Sequence, residues 1–269
     1  MILYLIVLTI FSCGPRDSQS YKDRGKIYIK KGQFELAVKD YTSAIELNPD
    51  NAENYYLRAD AYNALGKHFL AIADFTSVLN INPKYQYAYT HRGFTYYTLD
   101  KIDLAIDDYN SEIQNYPNEF EVYYNRGFIY HHLSKLGLAF QDFSKAIKID
   151  PSNSNAFRER GSVYYDQANF ELAIKDFTSA IRLNHNDDES YNYRGGSYKL
   201  VGKTKLAIMD YTSAIKCNPK NIGAYMNRGN IYYKLGNKKL AIADYKKAAD
   251  LGFKAGSTCL KEDYNIDYP

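Results

Sequence analysis

Tryptophan is absent from this 269-residue chain, and cysteine, methionine and proline are scarce, with three, three and seven copies. The cysteines (Cys13, Cys217, Cys259) are too few and too scattered for a disulfide framework, and no CxxC or clustered Cys/His spacing supplies a zinc site. Charge of one sign is also missing in bulk. A formal net charge of +3 is too weak for a protein whose main partner is nucleic acid, which leaves an RNA-binding helical repeat as the weakest reading. Enzyme chemistry finds no foothold: His68, His91, His131, His132 and His185 form no HExxH and no i,i+4 ligand pair, and there is no GxSxG and no phosphate-cradling glycine loop. No catalytic residue, metal, cofactor or small-molecule substrate is expected.

What the chain has instead is tyrosine (29 copies) and phenylalanine (13), placed periodically. Seven units of 34 residues follow one another without a gap: 18–51, 52–85, 86–119, 120–153, 154–187, 188–221 and 222–255. The fourth residue of each is aromatic, from Tyr21 to Tyr225, and the eighth is small. The eleventh is always Tyr, the twentieth always Ala, the twenty-fourth Tyr or Phe, and the twenty-seventh usually Ala. Proline closes five units, at 49, 83, 117, 151 and 219. Positions 4, 8 and 11 stand at i, i+4, i+7, as do 20, 24 and 27, so each set forms one stripe of a helix. Each unit is therefore predicted to be two helices joined by a short turn, often marked by glycine (Gly32, Gly66, Gly202, Gly236). One pair cannot cover its own apolar stripe, whereas stacked neighbours can.

This pattern resembles the tetratricopeptide repeat over about 238 of the 269 residues. Tyr or Phe replaces the family's Trp at position 4, Val78 and Glu112 replace Ala at 27, and His185 and Phe253 replace Pro at 32. Glu112 and Tyr116 mark the second helix of the third unit as the least regular. The resemblance implies an all-α solenoid, a right-handed superhelix of seven helix-turn-helix units. Residues 256–269 would supply a short capping helix around Leu260.

Position 7 is always arginine (Arg24, Arg58, Arg92, Arg126, Arg160, Arg194, Arg228), and an aspartate follows sixteen residues later (Asp40, Asp74, Asp108, Asp142, Asp176, Asp210, Asp244). Both positions lie on the packed stripes, where an unpaired charge is costly. They are expected to form structural ion pairs, within a unit or between neighbours, with the arginine stems on tyrosine rings.

In the family, positions 2, 5, 9, 12 and 13 of the first helix face the groove that holds a protein or peptide partner. The resemblance assigns to that groove Tyr56, Asn63, Tyr87, Phe94, Tyr97, Tyr124, Phe128, His131, Arg158 and Tyr165, then Asn192, Lys199, Asn230 and Tyr233. Phe94, Tyr97, Tyr124 and Phe128 are either an adhesive patch or rings that pack on one another. Lys22, Lys26 and Lys30 form a basic row at i, i+4, i+8, suited to anionic head groups or an acidic partner, or simply solvated. No three consecutive units carry the carboxylate clamp that some family members use on chaperone tails. Cys217 reads as a small core residue, and Cys259 as core or surface thiol.

Residues 1–17 differ in kind. "MILYLIVLTIF" is an apolar run shorter than the roughly 20 residues that span a bilayer, followed by Ser12, Cys13 and Gly14. It resembles the signal and lipobox of bacterial lipoproteins, which implies lipid on Cys13 and attachment to the membrane of the cell envelope, in periplasm or outer membrane. Plain secretion, an uncleaved anchor and a cytoplasmic protein without targeting stay open.

Overall fold

The computed structural model describes residues 17–264 and 266. Cys13 and the run before it lie outside the described residues. Fifteen α-helices and no strand occur among the described residues. The first helices of successive pairs are α1 (Ser18–Lys30), α3 (Ala52–Ala64), α5 (Ala88–Thr98), α7 (Phe120–His132), α9 (Ser154–Asp166), α11 (Asp188–Leu200) and α13 (Ile222–Lys234). Their partners are α2 (Phe34–Leu47), α4 (His68–Ile81), α6 (Ile102–Asn115), α8 (Leu136–Ile149), α10 (Phe170–Leu183), α12 (Thr204–Cys217) and α14 (Lys238–Asp250), and α15 (Lys254–Tyr264) comes last. The chain divides into two compact units, Met1–Val122 and Tyr123–Pro269. In the first, each helix from α1 to α6 packs on the next; in the second, the same holds from α8 to α15. No described helix is long and apolar enough to cross a membrane.

Local chemistry sets the helix ends. Asp17, Asn51, Asn153, Asp187 and Asn221 each precede a first helix and accept a backbone N–H from its first turn, filling orphan donors. The first helices stop on a residue with positive φ: Gly32, Gly66, Gly202 and Gly236, but also Asp100, Ser134 and Ala168. There the chain reverses and the next amide returns to the helix, as Asn169 N donates to Tyr164 O at 2.8 Å. Alanine at φ 58 has no side chain to compensate its left-handed backbone. Ala168→Gly is expected to raise stability by about 1 kcal/mol, read as a higher urea midpoint at unchanged m-value.

α5 is the exception, and it corrects the expectation for the third unit. The second helix, α6, is a regular 14 residues, whereas α5 has only 11. Tyr87 takes φ 68 and offers no side-chain cap. Glu112, standing where other units have alanine, fills the gap: its fully buried side chain reaches across from α6, and Oε1 accepts from Tyr87 N at 2.9 Å. Burial raises its pKa above the ordinary 4.5 despite the amides of Tyr87, Thr90 and Tyr89 holding it down. A raised folded pKa means the folded state binds the proton more tightly, so this stability is present below pH 4.5 and lost as pH climbs through the raised value. Glu112→Gln is expected to flatten that pH dependence while keeping the acceptor. Glu112→Ala is expected to uncap α5 and cost about 1–2 kcal/mol in urea titrations.

The recurrent side chains build the stack. Tyr41, Phe75, Tyr109, Phe143, Phe177, Tyr211 and Tyr245 are buried almost completely. Each lies under the small eighth residue of its unit, so closely that a Cβ on Gly161 would stand 2.9 Å from the Phe177 ring. Each position-7 arginine grips the aspartate of its own unit with two parallel bonds, as Arg194 Nε and Nη2 on Asp210 Oδ2 and Oδ1, both at 2.8 Å. The same guanidinium sits 5.6 Å from the Tyr191 ring centre and 5.8 Å from that of Tyr198. Its third nitrogen crosses to the preceding pair, where Thr178 Oγ1 accepts at 3.0 Å while donating to Ile174 O at 2.7 Å. Arg58 with Thr42, Arg92 with Thr76, Arg160 with Ser144 and Arg228 with Thr212 repeat this link. Arg24 has no described pair before it, and its side chain is 40% exposed against 16% for Arg58 and Arg92. At the far end, α15 lays fully buried Leu260 on Ala241 and Tyr245.

Candidate functional site

Once the stack has taken the recurring residues, the varying faces of the first helices remain, and each compact unit presents them separately. In Met1–Val122, Tyr56 packs its ring edge-on to Phe75 and 5.2 Å from Tyr85, and its hydroxyl meets the His91 imidazole at 3.1–3.2 Å. Burial raises the Tyr56 pKa. His91 Nδ1 also lies 2.8 Å from Asp60 Oδ1. Burial lowers the imidazole pKa, but Asp60, with Glu121 and Glu112 behind it, outweighs that, and the net shift is upward. Asn63 donates to Thr95 Oγ1 at 2.8 Å, and Tyr87 donates its hydroxyl to Glu119 at 3.0 Å. With Asn82, Lys84, Tyr85 and Gln86, Tyr56 and Tyr87 line a recess of about 380 Å3. Phe94 is 53% exposed, and Tyr97 is half-buried. Of the rings assigned to the groove, Tyr56 is thus partly consumed in packing, where α3 meets α5.

The basic row is a correction. Lys22 is buried, and Lys22 and Lys26 both donate to Glu53, at 2.6 and 2.8 Å. Glu53 sits in the first turn of α3, where the second pair docks on the first. The row is an ion-paired joint between two pairs, and only Lys30 remains as an exposed cation. Cys217 is half-buried, with Sγ 3.5 Å from His185 O, and Cys259 is half-buried against the Leu260 cluster. Neither is the fully enclosed core residue that the spacing implied for Cys217.

In Tyr123–Pro269 the varying positions converge on two recesses. The first, about 230 Å3, is lined by Phe128, His131 and His132 of α7, Arg158, Glu159, Ser162 and Asp166 of α9, and Glu189 and Tyr193 of α11. His131 Nε2 lies 2.7 Å from Asp166, while Arg158 is shared among Glu159, Asp187 and Glu189 at 3.3–3.5 Å. Burial raises the Glu159 carboxyl pKa, against the pull of Arg158. The Phe128 and His132 rings meet at a 48° tilt, 4.4 Å between centres. Tyr193 lies parallel to Phe177 at 5.7 Å and meets Tyr165 edge-on at 5.9 Å. Tyr124 turns inward onto Phe143, and burial pushes its hydroxyl up to about 12. The second recess, about 490 Å3, is lined by Lys199, Thr204, Asn230, Ile231, Tyr233, Lys234, Leu235, Tyr245 and Asp263. Asn230 accepts from the Tyr245 hydroxyl at 2.8 Å, and Asn192 accepts from Asn227 at 3.3 Å. Sequence reasoning missed Glu159, Tyr193 and His91, which share position 6, and Asp263 of α15. Charged or aromatic residues varying at a position beside the invariant arginine were the available signal. No group of described His, Cys, Asp and Glu residues can hold a metal ion.

Comparison with known proteins agrees with the fold. Residues 25–66 and 197–236 match the family described as TPR repeat. Residues 120–153 and 223–251, and again 52–85, match families described as tetratricopeptide repeat. Together these segments cover more than half of the chain. No curated protein matches the sequence significantly. Similar solved structures include a tetratricopeptide repeat protein from Parabacteroides merdae ATCC 43184, with 24% identity and a TM-score of 0.65 over 91% of this chain and 97% of that one. MamA has 26% identity and a TM-score of 0.57, covering 61% of this chain and 95% of its own. YrrB, described as a TPR protein with an unusual peptide-binding site, has 18% identity and a TM-score of 0.60 over 68% and 95%. The chain belongs to the tetratricopeptide repeat family.

Proposed function

We propose that this protein is a non-enzymatic interaction scaffold that takes a peptide or partner protein on the varying faces of its first helices. One observation carries the reading. Side chains that recur every 34 residues are spent on the stack, whereas Phe128, His131, Arg158, Lys199, Asn230 and Tyr233, which vary, line open recesses. The peptide-binding description of YrrB, a protein of the same fold, supports it. The envelope tether belongs to the same proposal and rests on the apolar run and on Ser12, Cys13 and Gly14. Captures by the full chain and by a Phe128→Ala/Tyr233→Ala variant, compared by mass spectrometry, test the groove. Loss of the same partner from the variant, at unchanged melting, supports it; identical captures discard it. A diacylglyceryl mass on Cys13 of the native protein supports the tether, and an unprocessed amino terminus discards it. Recovery of that unprocessed protein in the soluble rather than the membrane fraction points to a cytoplasmic adaptor or assembly chaperone instead of an uncleaved anchor.

A further inference from the structure

The two recesses of Tyr123–Pro269 occupy equivalent places in the repeat and carry opposite charge. Advancing the first by two periods of 34 residues places His131 on Lys199, Ser162 on Asn230 and Asp166 on Lys234. The fold builds the same concavity twice and changes what lines it.

In the first recess, the carboxylates of Glu159, Asp166 and Glu189 face Arg158 and His131. Asp187 adds a fourth negative charge beside Arg158. The arginine is divided among three carboxylates at 3.3–3.5 Å, with none of the paired 2.8 Å bonds by which Arg194 grips Asp210. With four carboxylates against one guanidinium, negative charge is in excess. Phe128 and Tyr193 line the same recess and offer ring surface to the stem of a long cation or to a guanidinium. In the second recess the balance reverses. Lys199 and Lys234 are exposed, and the one carboxylate among the lining residues, Asp263, already accepts a hydrogen bond from the Tyr233 hydroxyl.

We infer that Tyr123–Pro269 binds an extended peptide bearing one basic and one acidic side chain, the basic one between Glu159, Asp166 and Glu189 and the acidic one between Lys199 and Lys234. The inference rests on the groove reading above and specifies its ligand. It also sets a spacing. α9, α11 and α13 are successive neighbours. Two steps of about 8–10 Å between packed helices separate the recesses by about 16–20 Å. An extended chain covers that in about five or six residues.

Selection of a displayed library of random linear peptides on the full chain tests this. Enriched sequences are expected to pair Lys or Arg with Asp or Glu at that separation. Asp166→Lys/Glu189→Lys should weaken them by at least about tenfold through like-charge opposition and turn selection toward doubly acidic peptides. Lys199→Glu/Lys234→Glu should turn it toward doubly basic ones. All four side chains reach solvent, and circular dichroism checks that each variant keeps its helices. Enrichment without charge pairing, or peptides indifferent to both reversals, overturns the inference. If those peptides are still lost on Phe128→Ala/Tyr233→Ala, the groove reading survives alone. If no peptide is enriched, or none is lost on either kind of variant, both fail.

Discussion

Asp210→Leu is expected to cost about 3–5 kcal/mol, because it leaves the Arg194 guanidinium enclosed without its counter-charge. The cause is geometric. Arg194 lies between the Tyr191 and Tyr198 rings, its side chain 15% exposed, and two of its nitrogens point at one carboxylate that is itself 8% exposed. Arg194→Met leaves the mirror problem, a buried Asp210, and should cost a similar amount. The double variant removes both desolvation penalties and leaves apolar chains among aromatic rings, so it should lie within about 1 kcal/mol of the native protein. Arg24→Met should be milder than its six counterparts, since Arg24 keeps more of its water. α11 and α12 pack on each other and on α10 and α13, so hydrogen exchange across α11 and α12 reads the loss more cleanly than one global melting curve.

The second large effect is Phe177→Ala, expected to cost about 3–5 kcal/mol through lost burial and a cavity that cannot collapse. The ring is fully buried, lies under Gly161, and is the surface on which Tyr193 stacks. Collapse is limited because the Arg160–Asp176 pair, at 2.7–2.8 Å, fixes the register of α9 on α10. Enlarging the partner acts on the same contact from the other side. Gly161→Leu should destabilise comparably, and Phe177→Ala should partly rescue it, whereas two independent losses would add. Since Tyr193 rests on Phe177, the single variant should also weaken any ligand of the first recess, which couples the stack to recognition. Peptide affinity and hydrogen exchange, measured on the same variant, separate the two contributions.

The period of the tyrosines, alanines and prolines made the helix pairs legible, because helical spacing and unit length are both one-dimensional. The spacing of sixteen named the arginine–aspartate couples but left open which unit holds the partner, and the answer is the same unit throughout. Contacts from one pair to the next were not legible. Lys22 and Lys26 meet Glu53 only because the second pair docks on the first through α2 and α3, and Glu112 caps α5 only because Tyr87 turns left-handed. The position-6 residues of the recesses escaped notice because orientation relative to a neighbouring helix, not sequence spacing, exposes them. Recurrence also misleads in one place. The leucine at position 19 of every unit, Leu36 through Leu240, stays 39–49% exposed, and the packing leaves its recurrence unexplained.

On the proposed function, what repeats holds the stack and what varies recognises. The most direct measurement is the affinity of Glu189→Lys/Lys199→Glu for a partner or selected peptide bound by the native chain, with melting followed in parallel. Binding is expected to weaken by at least about tenfold, with melting lowered only slightly by charges reversed at the two ends of α11. Undiminished binding by a chain that melts close to the native one would contradict that reading.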